Sequence, residues 1–197
     1  MKMPTFEPII IPTKGKSVLT QLWILLTSVR TFRMTEDWYF TLPNGVEIVV
    51  PKGFVFDGAS IPKPIWFICA LLALAIFLGV AVSPSIILLF SCLFIIAGVT
   101  LAPTGLLLIA GLVHDFAYRY GYLWKAEKDG TYTTKYYHIR GTRLNYDKLF
   151  FEINLNVNGM FFTDYLAYCL LAIFGKIAWT QNRDLHAPEI HPSNNTK

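Results

Sequence analysis

Leu106–Tyr122 reads L-L-L-I-A-G-L-V-H-D-F-A-Y-R-Y-G-Y. The first eight residues are apolar or glycine; then come His114 and Asp115, with Tyr118 one helical turn beyond the histidine. An ionisable pair at the end of an apolar helix is costly unless it is paired, coordinated or used. The fold and any chemistry therefore turn on what surrounds this helix.

Upstream, no Asp, Glu, Lys or Arg occurs between Lys63 and His114. Residues 65–82 and 85–102 are each about the length that crosses a ~30 Å hydrocarbon core, and Ser83-Pro84-Ser85 is a tight reversal between them. A chain of 197 residues is too short to cover two such helices, so residues 67–102 are expected to form an inserted transmembrane helical hairpin. Composition points the same way. Hydrophobic residues make up 54% and charged residues 15%, against about 25% charged in soluble domains, and mean hydropathy is +0.45. After the break at Pro103-Thr104-Gly105, the 106–122 helix is expected to lie along the membrane surface.

Basic residues flank both sides of the hairpin, which places both termini in the cytoplasm by the positive-inside rule. The expected location is a bacterial host inner membrane. The N-terminus lacks the apolar core and cleavage site of a signal peptide. A net charge of +4 and a pI near 8.9 suit an anionic bilayer, so phospholipid is the expected partner and nucleic acid is not. Cys69, Cys92 and Cys169 have no regular spacing, which argues against a disulfide framework and against zinc.

Away from the hairpin, residues 1–35 read as an N-terminal arm and a short apolar segment. Trp38–Leu42 and Val46–Val50 read as strands around Pro43-Asn44-Gly45, because Asn-Gly supplies the positive φ of a tight turn. Residues 123–143 read as a loop or small hairpin, and 144–155 return to helical spacing, with an apolar face at 149, 150 and 153. Residues 160–179 are apolar but interrupted by Asp164 and Lys176, so an interfacial or core helix is favoured over a spanning one. The tail, 181–197, is Pro- and Asn-rich and expected to be disordered. The fold class expected is α+β: a small β-hairpin or sheet packed with α-helices in one domain (36–66 and 103–180), plus the inserted hairpin.

Three pieces invite assembly: Asp57 in its glycine loop, the His114-Asp115 pair, and Asp147 on the later helix. Consecutive side chains on a helix point about 100° apart, so His114 and Asp115 serve adjacent functions rather than one ligand shell. His114 is placed as general base on a water, and Asp147 as acceptor of the second ring N–H, fixing the tautomer. Asp115, with Asp57, Gly58 and loop carbonyls from 53–58, would suit Ca2+, which prefers oxygen ligands. The plainer readings stay beside these. Asp57 is also an ordinary turn residue, Asp147 an ordinary first-turn carboxylate, and His114-Asp115 a pair that only ties the helix end to its loops.

Gly53-Phe54-Val55-Phe56-Asp57-Gly58-Ala59-Ser60-Ile61-Pro62, Trp66, Pro103-Thr104-Gly105, His114-Asp115-Phe116-Ala117-Tyr118 and Asn145-Tyr146-Asp147-Lys148-Leu149-Phe150, in that order, resemble a phage and prophage family. It is the domain-of-unknown-function family numbered 1353. In that family the Trp and Pro-x-Gly blocks lie close together, which makes 67–102 look inserted. His114-Asp115-Phe116-Ala117-Tyr118 also resembles the H-D-x-x-Y helix of phospholipase A2 enzymes. That second likeness implies a histidine that activates water, an adjacent aspartate that binds calcium and a later aspartate that orients the histidine. These roles fall on His114, Asp115 and Asp147, with calcium ligands around Asp57 and Gly58. The cystine framework of the secreted enzymes is missing.

The function expected is a phage-type membrane protein with a calcium-assisted, phospholipase A2-like ester hydrolase site. The alternative is a non-enzymatic phage membrane protein acting in lysis, superinfection exclusion or genome entry, with a structural polar cluster. A metal phosphohydrolase of the HD type needs a histidine upstream of the pair, and none of the four histidines precedes His114.

Overall fold

A computed structural model describes residues 2–9, 11, 15–21, 31–57, 107–126, 132–136, 142–182 and 188–193. Among these residues are seven short strands and three long helices: β1 Phe6–Pro8, β2 Phe32–Met34, β3 Trp38–Thr41, β4 Glu47–Val50, β5 Val55–Phe56, α1 Leu108–Tyr120, β6 Leu123–Ala126, β7 Tyr132–Tyr136, α2 Arg143–Val157 and α3 Phe161–Asn182.

The strands form two antiparallel sheets, β1-β2-β5 and β3-β4-β6-β7. In β2 and β3 the side chains alternate, Phe32, Met34, Trp38 and Phe40 inward, Arg33, Tyr39 and Thr41 outward, as the two-residue period of a strand requires. β3 and β4 pair Trp38 with Val50 and Thr41 with Glu47 around Gly45, whose φ of 81° is the left-handed geometry the turn needs. Central β4 buries Ile48, Val49 and Val50 in succession.

The β4–β5 connection aims the chain at α1. Gly53, at φ 84°, donates to the Met34 carbonyl, and Phe54 packs edge-on against Phe116 at 5.0 Å between ring centroids. Helix α1 is buried along Ile109–His114 and again at Phe116, Ala117 and Tyr118, and it packs against α2, α3, β5 and β6. A helix apolar nearly all round is a core helix. It ends at Gly121, φ 76°, whose N–H bonds the Ala117 carbonyl while its own carbonyl accepts from the Tyr146 hydroxyl at 2.9 Å. Helices α2 and α3 form an antiparallel hairpin turned at Asn158–Met160, where Asn158 Oδ1 accepts the Met160 N–H. The core is one cluster that takes side chains from β2–β6 and all three helices.

The expected architecture needs correction. Among the described residues no helix is long and apolar enough to cross a membrane, and two small sheets stand where one hairpin or sheet is expected. The transmembrane hairpin, and with it the location in a bacterial inner membrane with cytoplasmic termini, is therefore not the reading the structure sustains. Residues 67–102, which the hairpin expectation concerns, lie outside the described residues. The physical reason is clearest at α1: its grease is spent on protein, against Phe54, Leu149, Phe150 and Ile153, rather than laid along a bilayer. In α3, buried Asp164 and Gly175 and exposed Lys176 interrupt the apolar run.

Both ends of the described chain lie on the core. The Trp38 indole N–H donates to the Lys2 carbonyl at 2.8 Å. Within the tail expected to be disordered, the Ile190 carbonyl accepts from Trp124 Nε1 at 3.0 Å and the Ser193 N–H donates to Asp37 Oδ2 at 2.6 Å.

Candidate functional site

The α1–α2 packing places His114 directly against Asp147. His114 Nε2 lies 3.1 Å from Asp147 Oδ1, and the Tyr118 hydroxyl donates to the same oxygen. Arg143, one turn before Asp147 on α2, donates Nη1 to Oδ2 at 3.0 Å and also meets the Leu171 and Ala172 carbonyls of α3 at 3.1 Å. Asp147 is completely buried and His114 is 6% exposed. A buried carboxylate survives only when its lone pairs are satisfied and its charge is countered. Three side chains do that here.

The arrangement assigns the imidazole protons. An ionised carboxylate only accepts, so the neutral ring donates Nε2–H to Asp147 and keeps its lone pair on Nδ1. That nitrogen faces Asp115, whose Oδ1 is 3.9 Å away and whose side chain is 20% exposed. Asp115 Oδ2 in turn accepts the backbone N–H of Asp57 at 3.3 Å, which ties the residue after β5 to this edge of α1. The ring leans on Tyr118, tilted by 36° at 3.8 Å between centroids, and meets Phe150 edge-on at 5.5 Å.

Electrostatics follow from the same neighbours. Burial draws the His114 ring towards its neutral form, but Asp115 and Asp147 favour the imidazolium and win, so its pKa stands above the ordinary 6.5. At 3.9 Å the Asp115 contact is Coulombic rather than a hydrogen bond, so we attribute the net upward shift chiefly to Asp147 at 3.1 Å. Burial first, then the bond to Asp147, pushes the Tyr118 hydroxyl far above the usual tyrosine range, so it remains a donor.

The residues singled out in the sequence are thus distributed as follows. His114 and Asp147 are in contact, Asp115 flanks the free ring nitrogen, and Asp57 reaches Asp115 through its backbone. Gly58 lies outside the described residues. Calcium is the cation expected beside Asp115. Such an ion takes about 6–8 oxygens, whereas among the described residues no group of three His, Cys, Asp or Glu side chains is disposed to hold a metal. No chemistry is therefore routed through calcium. Two residues escape sequence reasoning. Arg143 falls in the stretch that reads as a loop, although its i,i+4 spacing to Asp147 is that of a helical ion pair. Gly175 sits inside an apolar helical run, where an isolated glycine signals a close approach; a Cβ there would stand 2.7 Å from the Tyr118 hydroxyl.

No curated protein and no solved structure matches the chain. Residues 32–76 match the model of a family described as Protein of unknown function (DUF1353). That stretch carries β2–β5 and Asp57, whose backbone N–H reaches Asp115, while His114 and Asp147 lie beyond it. Over those residues the chain is similar to the DUF1353 family, the one that its sequence blocks resemble.

Proposed function

We propose that the protein is an ester hydrolase with a phospholipase A2-like base, in which His114 activates water for attack on an acyl ester. The observation behind this reading is the one-sided engagement of the ring: Nε2 is committed to buried Asp147 and Nδ1 is left towards partly exposed Asp115. A water on Nδ1 gives its proton to the ring as its oxygen bonds the ester carbonyl carbon. Asp147 and Asp115 stabilise the imidazolium so formed. When the tetrahedral adduct collapses, the C–O bond to the alcohol breaks and the ring proton passes to the departing oxygen. Tyr118 and Arg143 hold Asp147 still throughout.

Fatty-acid release from phosphatidylcholine–detergent micelles by the purified full chain tests this directly. His114→Ala should abolish release, and a parallel arm with EGTA reads whether oxygen donors outside the described residues recruit a cation. Because the base works only when neutral, activity should rise with pH through a value above 6.5. Absence of release from phospholipids and from simple chromogenic esters alike sinks the proposal.

The near-complete burial of His114 favours a second reading, a non-enzymatic phage protein whose cluster only ties α1 to α2 and α3. It expects His114→Ala to lower stability with no activity to lose.

A further inference from the structure

Among its described residues, helix α3 contributes no acid, base or nucleophile to the site, yet its backbone runs close against the groups that hold Asp147. A Cβ at Gly175 would lie 2.7 Å from the Tyr118 hydroxyl oxygen, 3.2 Å from Arg143 Nη1 and 3.7 Å from Asp147 Oδ1. Real Cβ atoms do not sit 2.7 Å from a heavy atom, so something must move. Whether that is cheap depends on how free the neighbours are.

None of them is free. The Tyr118 ring is buried, 3.8 Å from His114 on one side and edge-on to Trp179 at 5.0 Å on the other, and its hydroxyl is committed to Asp147. Arg143 Nη1 is shared among Asp147 Oδ2 and the carbonyls of Leu171 and Ala172, one turn before Gly175. The bare Cα and these two carbonyls form a socket that locates both groups which grip Asp147: Tyr118 on one oxygen, Arg143 on the other.

We propose that Gly175 is a positioning residue. By withholding a side chain it lets Tyr118 and Arg143 close on Asp147, and Asp147 in turn sets the orientation of the His114 ring. The step to catalysis rests on the hydrolase reading above; the socket itself does not.

The test separates the two, using the full-length chain with Gly175→Ala, Tyr118→Phe and the double variant. Helix propensity alone makes alanine more stable than glycine in a helix interior. The socket makes the opposite prediction. Gly175→Ala should lower Tm by about 4 °C or more, and Tyr118→Phe, which removes the oxygen in the way, should return at least part of that loss in the Gly175→Ala background while being destabilising on its own. The low-field Nε2–H proton resonance of His114 should shift or broaden in Gly175→Ala and move back in the double variant. With p-nitrophenyl butyrate as probe, kcat of Gly175→Ala should fall by about tenfold or more at unchanged KM, because small misplacements of a base are expensive.

A Tm that rises in Gly175→Ala, or additive effects of the two substitutions with an unmoved His114 resonance, overturns the socket. Coupled Tm and resonance changes in a protein that hydrolyses no ester leave the socket standing and remove the hydrolase reading instead.

Discussion

Two carboxylates are fully buried in the α2–α3 hairpin, and they are treated in opposite ways. Asp147 accepts from His114, Tyr118 and Arg143. Among the described residues no hydrogen bond of good geometry reaches either oxygen of Asp164, only weaker pulls from the Asn158 side chain and the Met160 backbone, and both side-chain polar atoms of buried Asn154 lack a partner. Asn154 and Asp164 stand equally far from Gly159, on either side of the hairpin turn. Burial is common to the two ends; what differs is the supply of donors. At the Asp147 end the sequence invests an arginine, a tyrosine and a histidine in one carboxylate. At the Asp164 end burial dominates and raises the carboxyl pKa above its ordinary 3.8, against weaker opposing pulls from Asn158 and the Met160 backbone. Depth inside a protein therefore does not by itself mark a site. The Asp147 network differs in satisfying a buried carboxylate while turning His114 Nδ1 towards Asp115.

The comparison can be broken most forcefully at Asp147. Asp147→Ala strands Arg143 and the His114 ring, and loss of one member of a buried ion pair costs about 3–5 kcal/mol; urea unfolding should show a loss of that order, and a loss below about 1 kcal/mol would mean the network contributes little. Next comes Tyr118→Phe in the otherwise native chain. Removing a hydrogen bond to a charged group should cost about 1.5–3 kcal/mol, read from the same unfolding curves.

At the other end the sign reverses. The folded-state pKa of Asp164 is raised, so the stability linked to its proton is fully present below about pH 3.8 and is lost as pH climbs through the folded value. Asp164→Asn should accordingly stabilise the protein at pH 8 relative to the parent and flatten this part of the pH–stability curve, with the gain shrinking towards pH 3. A destabilised Asp164→Asn at pH 8 would mean that the carboxylate finds a partner when charged. The smallest effect is expected on the outside of α2, where Lys148 and Glu152 approach to 3.7 Å in solvent. Glu152→Gln should change stability by less than about 0.5 kcal/mol, which calibrates the scale against which the buried pair is judged.

Much of the Asp147 end is legible in the sequence. An apolar helix that terminates in His114-Asp115, followed by an aspartate on a later amphipathic helix, makes the imidazole–carboxylate contact a natural expectation, and the two groups are 3.1 Å apart. The same helix misleads about its surroundings. An apolar rod does not reveal whether lipid or protein covers it, and the covering strands, β5 and β6, lie on opposite sides of it in the chain. The sheet β1-β2-β5 escapes for a related reason: its strands are two or three residues long and distant in sequence, too short for a two-residue period to stand out. Arg143 is hidden by a boundary, since it is the first residue of α2 rather than the last of a loop. Gly175 is hidden because its contribution is an atom it lacks.

The two ends of the described chain carry a consequence of their own. Residue 2 is held at Trp38 and residue 193 at Asp37, so both strands of the polypeptide return to neighbouring points on one rim. Both anchors act on adjacent residues of one strand edge, so a single substitution at position 37 or 38 is placed to loosen segments that lie far apart in sequence.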